Sequence, residues 1–303
     1  MSEAVIFART LLRLDGVGRV TAGRLLRHFG RYSELVQYPR EQVLTRLKGV
    51  PRAAALVKQL FDRDAMEPHL QAAREDLAHL SAKRVALLTQ REAAWPRGLN
   101  DLPASQRPLI MYAYGNVVCL TQPRVAIFGA PGLSVEAFEG AQRLARRILQ
   151  GGGVVITGMA HGFDVALQKL AHAGPARYPG AVVADMGMAV LPKPMRPHVT
   201  AAVRAAGVFL SPFDMDHGPF AYDEKESALV RAALADAVVF ADPQPDTPAA
   251  RALAWAQEAE RPVFVVGPPA PHLDEGIHRV TTSTDEDWVL EAAGLRPRSG
   301  EDG

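Results

Sequence analysis

The chain has 303 residues, 48% hydrophobic and 22% charged, enough for a sizeable core in about two domains. No apolar run reaches the ~18 residues of a membrane span, and the opening MSEAVIFART lacks the basic start of a signal peptide. The net charge of +1 hides an asymmetry: residues 1–60 hold 11 Lys+Arg against 4 Asp+Glu, net +7, whereas residues 101–303 hold 17 against 23, net −6.

A basic field confined to the first segment points to a polyanionic partner there. Cys119 is the single cysteine, so an intrachain disulfide and a cysteine zinc site are excluded. That usage fits a reducing, cytoplasmic setting.

Residues 4–60 predict short helices. LLRLDGVGRVTAGRLLRHFG places Leu11, Leu12, Leu14, Val17, Val20, Leu25, Leu26 and Phe29 around a turn of Gly16, Val17 and Gly18. Gly30 is the expected C-cap of the second helix. LTRLKGVPRAAALVKQL repeats the plan around Gly49, Val50 and Pro51, about 30 residues on. This is a helix-hairpin-helix pattern, in which glycines let backbone N–H groups approach a phosphate at a helix N-terminus. Arg19, Thr21 and Arg24 flank the first turn as candidate contacts, with Arg27 beyond them. Pro51 removes one donor from the second.

Residues 61–122 predict a connector: a helix over EPHLQAAREDLAHLSAKR, a short strand VALLT, then WPRGLNDLPASQRPLIMYAYGN. From residue 123 strands and helices alternate. The expected strands are RVAIFG, GVVITG, AVVADMGMAVL, GVFLSPF, DAVVFAD and RPVFVVG, short apolar runs of the kind covered on both faces. A helix is expected from 134 to 150, with Glu139 and Arg143 paired on its outer side. The alternation predicts a doubly wound, mostly parallel α/β sheet with ligands beyond the carboxyl ends of its strands.

Two glycine loops should meet at that edge. GAPGLSVE carries Gly129 and Gly132, with Ser134 as N-cap. VVITGMAHGFD carries Gly158, His161, Gly162 and Asp164. Tandem loops of this kind, each between a strand and a helix, point to a phosphorylated ligand, although neither holds a P-loop lysine. Phe220 and Tyr222, in a polar loop, are candidates to stack on unpaired bases. Phe163, Phe213 and Trp255 are expected in the core.

The order of these motifs resembles the DNA-processing protein A (DprA/Smf) family over nearly the whole chain. The resemblance implies an extended Rossmann-like domain at 123–303. Before it come a helical helix-hairpin-helix (SAM-like) domain at 1–65 and a connector at 66–122 packed on the Rossmann domain. It implies binding of single-stranded DNA and delivery to a RecA-type recombinase in transformation or recombination, by a homodimer without catalytic residues, cofactor, metal or membrane. Gly129, Ser134, Gly158, Gly162 and Asp164 fall in the family's glycine loops, and Lys193 and Arg196 in its DNA-binding LPKPMR segment.

There are departures. Pro131 and His161 stand where the family has arginines. Met195 replaces an asparagine. Asp223, Glu224 and Glu226 lie where it has a basic run. Fewer cations weaken phosphate binding. Two other readings follow: a divergent interaction protein with a weakened pocket, and a phosphoribohydrolase-like nucleotide-processing enzyme. The second lacks its glycine-rich catalytic loop, since the corresponding run is DPQPDTPAARALAW.

Overall fold

The computed structural model describes residues 2–129, 132–160, 162–172, 176–268 and 277–296. It divides into two compact units, one of Met1–Trp95 and Pro103–Met111, the other of Pro96–Leu102 and Tyr112–Gly303.

The first unit is helical: α1 (Glu3–Leu12), α2 (Arg19–His28), α3 (Tyr32–Leu35), α4 (Arg40–Arg46), α5 (Ala53–Leu60) and α6 (Arg63–Ala82), followed by β1 (Val85–Leu88). Phe7, Leu11, Leu25, Leu35, Leu47 and Leu60 are completely buried. Each contributes about 1.5–3 kcal/mol by leaving water. The α1–α2 and α4–α5 turns pass through Gly16 at φ 74° and Gly49 at φ 82°, left-handed backbone that a side chain disfavours. Arg9 of α1 and Arg13 just after it converge on Asp76 of α6 at 2.7 and 2.5 Å.

Gly30 is not the cap of α2. Phe29 ends that helix in an extended conformation, φ −124° and ψ 120°, because its ring is buried and leads the chain inward. The Gly30 N–H then donates to Glu34 Oε2 at 2.7 Å.

The second unit opens with a 3-10 turn at Arg97–Asp101 and β2 (Met111–Gly115). It continues β3 (Arg124–Gly129), α7 (Val135–Gln150), β4 (Val154–Thr157), α8 (Phe163–His172), β5 (Gly180–Val183), α9 (Arg196–Arg204) and β6 (Val208–Ser211). It closes with α10 (Asp223–Leu234), β7 (Ala237–Ala241), α11 (Pro248–Glu258), β8 (Val263–Val266), β9 (His278–Val280) and α12 (Ser283–Ala292). Its strands run in the order β2-β6-β5-β4-β3-β7-β8-β9. β2 is antiparallel to β6, with Tyr112 opposite Ser211, and the rest of that order pairs parallel. The fold is therefore a Rossmann-like, mostly parallel sheet after a helical region, as the alternating pattern predicts.

β4 and β7 are buried along their whole length, because helices cover both faces. Val125, Ile127 and Val239 pack with α7, α8 and α12 on one face. Phe128 and Phe240 point the other way and stack at 4.9 Å. β3 lies between β4 and β7, so the winding reverses there, which opens a crevice at the carboxyl ends of those strands.

Two expectations change. Of AVVADMGMAVL only residues 181–183 lie in a strand, β5, which Gly180 begins. The chain then turns at Gly187, where a Cβ would lie 2.1 Å from the Asp214 carbonyl oxygen, and residues 188–190 coil into a 3-10 turn. Arg143 does not pair with Glu139. Its Nε donates to Glu286 Oε1 at 2.6 Å, and Arg147 Nη1 donates to Glu286 Oε2 at 3.0 Å. The Glu286 side chain is only 2% exposed, so a buried acceptor outcompetes a solvated one.

Candidate nucleic-acid interface

Three features occupy the surface of the second unit: a cavity at the sheet's carboxyl edge, a cationic groove beside α9, and an exposed aromatic pair.

The cavity has a volume of about 370 Å³ and is lined by Gly129, Gly158, Asp164, Asp185, Glu224 and Arg231, among others. Gly129 and Gly158 of the two glycine loops meet here and make room for internal packing, whereas Gly132 and Gly162 have open space where a Cβ would stand. A Cβ on Gly129 would fall 2.6 Å from the Phe163 ring, so the glycine makes room for that core side chain. A Cβ on Gly158 would fall 2.4 Å from Arg231 Nη1 and 2.9 Å from Asp164 Oδ2. Arg231, from α10, thus fills the space beside Gly158 that the sequence reading assigned to a phosphate. Its guanidinium lies 3.6 Å from Asp164 Oδ2 and 4.1 Å above the Phe128 ring.

Asp164 also accepts from the Ala160 N–H at 2.9 Å. Burial pushes its carboxyl above the usual range, against the opposing pull of Arg231 and the backbone N–H groups. Asp185 moves the same way, again through burial. Gly162 supplies left-handed backbone at φ 84° before α8. Ser134 caps α7 by accepting from the Ala137 N–H at 3.1 Å. His161 and Pro131 lie outside the described residues.

The groove has a volume of about 550 Å³ and is lined by His172, Arg177, Lys193, Arg196, Pro197, Thr200, Ala201 and Arg204. Lys193 and Arg196 are the residues expected from LPKPMR. Both are exposed, Lys193 on a 3-10 turn and Arg196 at the first turn of α9. The structure adds Arg177, Arg204 and His172, which sequence reasoning missed because they lie 16, 11 and 21 positions from Lys193 along the chain. Arg204 is one α9 length from Arg196, and that helical repeat was the available signal. Among the described residues, no carboxylate lines the groove. Burial, then His198, Lys169 and Arg177, hold His172 below its ordinary value. Met195 points into the core beneath α9, 3% exposed, which removes it from the contact surface.

Phe220 and Tyr222 are 52% and 58% exposed, and their rings stack at 5.6 Å with a 12° angle. The loop is fixed from below. Asp223, fully buried, accepts from the Phe220 N–H at 2.8 Å and meets His217 Nε2 at 2.9 Å. The His217 ring lies on Phe213 at 4.7 Å. Gly187 and Ala189 donate to the carbonyls of His217 and Met215, at 2.8 and 2.9 Å. The aromatic loop is therefore tied to the segment that leads directly into Lys193.

In the first unit, Arg24 Nη1 donates to the Lys48 carbonyl at 2.9 Å and Arg19 Nη1 to the Ser105 carbonyl at 3.3 Å. Both partly join elements of the helical unit. Arg27 is exposed. Gly16 and Gly18 have open space where a Cβ would stand. Phe163, Phe213, Trp255 and Cys119 are buried, and burial pushes the Cys119 thiol up to about 12.

Among the described residues, no helix is long and apolar enough to cross a membrane, and no group of three or more His, Cys, Asp or Glu side chains is placed to hold a metal ion.

The second unit thus combines a doubly wound sheet with a cationic groove and an exposed aromatic loop. The family model for DNA recombination-mediator protein A matches residues 86–292, more than half of the chain, and the protein belongs to that family. DNA processing protein A from Streptococcus pneumoniae has a similar fold. Its TM-score is 0.59 at 18% identity, covering 89% of this chain and 96% of that one. The Helicobacter pylori DNA processing protein A, described for its single-stranded DNA binding mode, gives a TM-score of 0.52 at 22% identity over 71% of this chain and 90% of that one. A comparison with curated proteins returned no match.

Proposed function

We propose that this protein binds single-stranded DNA through the α9 groove and the Phe220–Tyr222 pair, and passes the strand to a RecA-type recombinase during transformation or recombination. In this reading it acts as a homodimer and performs no catalysis. The observation that carries the reading is a groove of Lys193, Arg196, Arg177, Arg204 and His172, lined by no carboxylate among the described residues and tied through residues 187–189 to an exposed aromatic stack. Cations neutralise phosphates along the strand, and the ring pair offers a face to unpaired bases. The basic helical unit, net +7 over residues 1–60, adds to the attraction.

The test is a salt titration of labelled single-stranded DNA by fluorescence anisotropy. Lys193→Glu/Arg196→Glu should lower the slope of log affinity against log salt by about two units, since each phosphate contact contributes nearly one. Arg146→Glu, an exposed cation on α7, should leave it unchanged. Identical curves for the two variants would remove the groove from the reading.

A second reading, a family member that keeps the fold as an interaction module, is favoured by one observation. Arg231 fills the space beside Gly158. The same titration separates the two, because an interaction module would show no salt-dependent binding.

A further inference from the structure

The cationic groove is not uniform along its length. β4, β5 and β6 run parallel, so α8 and α9 each return from the carboxyl edge of the sheet to its amino edge. Lys193 and Arg196 therefore stand at the carboxyl edge, on the side of the aromatic loop. Arg204 in the last turn of α9, His172 at the end of α8 and Arg177 just ahead of β5 gather at the far end. Arg196, Thr200 and Arg204 fall four residues apart on one face of α9, a span of about 12 Å. Besides burial, the charges of His198, Lys169 and Arg177 bear on His172, which marks the far end as a positive field. A helix C-terminus favours a cation, which accounts for Arg204 and Lys169. Arg177 belongs to no helix.

None of Arg177, Lys193, Arg196 and Arg204 is ion-paired with a carboxylate among the described residues, whereas Arg9, Arg124, Arg147 and Arg231 all are. An unstacked strand spaces its phosphates more widely than the ~3.4 Å of one strand in a duplex, so about two or three diesters fit along α9. Each brings a single negative charge, which leaves part of the groove's positive charge unmatched. The donors at the far end also have a particular geometry. A guanidinium holds phosphate through two parallel N–H bonds. A diester has only two unesterified oxygens, which suits one such fork, and both Arg177 and Arg204 line that end. A phosphate monoester offers three oxygens and a charge of about −1.5 to −2 at neutral pH.

We propose that the far end of the groove takes a terminal phosphate monoester of the bound strand, held between Arg177 and Arg204, with the following diesters running past Arg196 and Lys193 toward the aromatic pair. This inference rests on the single-strand reading above and adds to it the recognition of a strand end. A 5′-phosphate and a 3′-phosphate offer the same chemistry, and the experiment separates them.

Three oligothymidines of one length, labelled on an internal base, carry a 5′-phosphate, a 3′-phosphate or neither, and are compared by anisotropy. A phosphorylated strand should bind about tenfold tighter than the unphosphorylated one, the size of one further charge-assisted contact. Its slope of log affinity against log salt should be steeper by about 0.7. A gain from either end supports the site, and the larger gain sets the polarity of the strand along α9. Arg177→Gln/Arg204→Gln, at two exposed positions, should bring the ratio between phosphorylated and unphosphorylated strands to one, whereas Arg146→Gln should preserve it. Equal binding of the three strands by the unaltered protein overturns the inference and leaves the single-strand reading standing. A preference that survives Arg177→Gln/Arg204→Gln overturns it as well. If no strand binds, the single-strand reading fails, and calorimetric titration with thymidine 5′-monophosphate, thymidine 3′-monophosphate and thymidine decides the far end by itself. Equal heats for the three would overturn the inference there too.

Discussion

Replacing Arg231 with methionine should destabilise the second unit by about 3–5 kcal/mol, the usual consequence of leaving one member of a buried ion pair alone. The structure sets the magnitude. The Arg231 and Asp164 side chains are 13% and 5% exposed, with 3.6 Å between Nη1 and Oδ2. At an effective dielectric near 20, that separation corresponds to an attraction of about 4–5 kcal/mol. The guanidinium also lies 4.1 Å from the Phe128 ring centre, worth roughly 1–2 kcal/mol more. Desolvation of both ions takes back much of this sum, but in the variant Asp164 keeps its desolvation and loses its cation. Its carboxyl then rises further above the unfolded value near 3.8. A carboxyl raised in the folded state stabilises most below its unfolded value, and loses that contribution as pH climbs through its folded value. The deficit should therefore be larger at pH 8 than at pH 5. Urea unfolding of both proteins at the two pH values measures it, and Asp164→Asn/Arg231→Met should recover most of the loss. A deficit below about 1 kcal/mol that does not change with pH would refute the argument.

Gly158→Ala should destabilise the same unit by about 1–3 kcal/mol in urea, since its Cβ would overlap Arg231 Nη1 at 2.4 Å. Phe220→Ala/Tyr222→Ala should weaken single-strand binding by about 1–3 kcal/mol for each base that stacks and leave duplex binding unchanged, measured by anisotropy with both forms. Single-strand affinity should rise as pH falls from 8 to 6. A bound phosphate favours the charged form of His172, which burial, His198, Lys169 and Arg177 oppose in the free protein. His172→Gln should flatten that profile in the same assay.

The strand-helix alternation was plain in the sequence because both faces of the sheet are covered, so strands such as residues 237–241 read as unbroken apolar runs. The site was less legible. Lys193, Phe220 and Tyr222 stood out because a charge after a proline and aromatics in a polar loop have few structural uses. Arg231 did not stand out, although it is a lone cation within ESALVRAALA. Its role depends on a contact with Asp164, 67 positions away, that only the crossing of α10 over the sheet creates. The glycines of the two loops were read as approaches to a ligand. Chain composition cannot distinguish an open glycine from one pressed against Phe163 or Arg231. The same difficulty moved Arg143 from its helical neighbour Glu139 to Glu286, 143 positions on.

The Glu286 junction has a mechanical consequence. One buried carboxylate receives two guanidiniums from α7, and Arg147 also holds Asp287. The last helix is thus latched by charge as well as by Val289 and Leu290 in the core. Opening that latch would strand a carboxylate's two partners side by side on α7, where they repel, and would uncover the apolar flank of β8 and β9. Detachment of α12 alone is therefore disfavoured from both sides. Its amide protons should exchange with those of α7 as one cooperative block, instead of fraying first as a terminal helix commonly does.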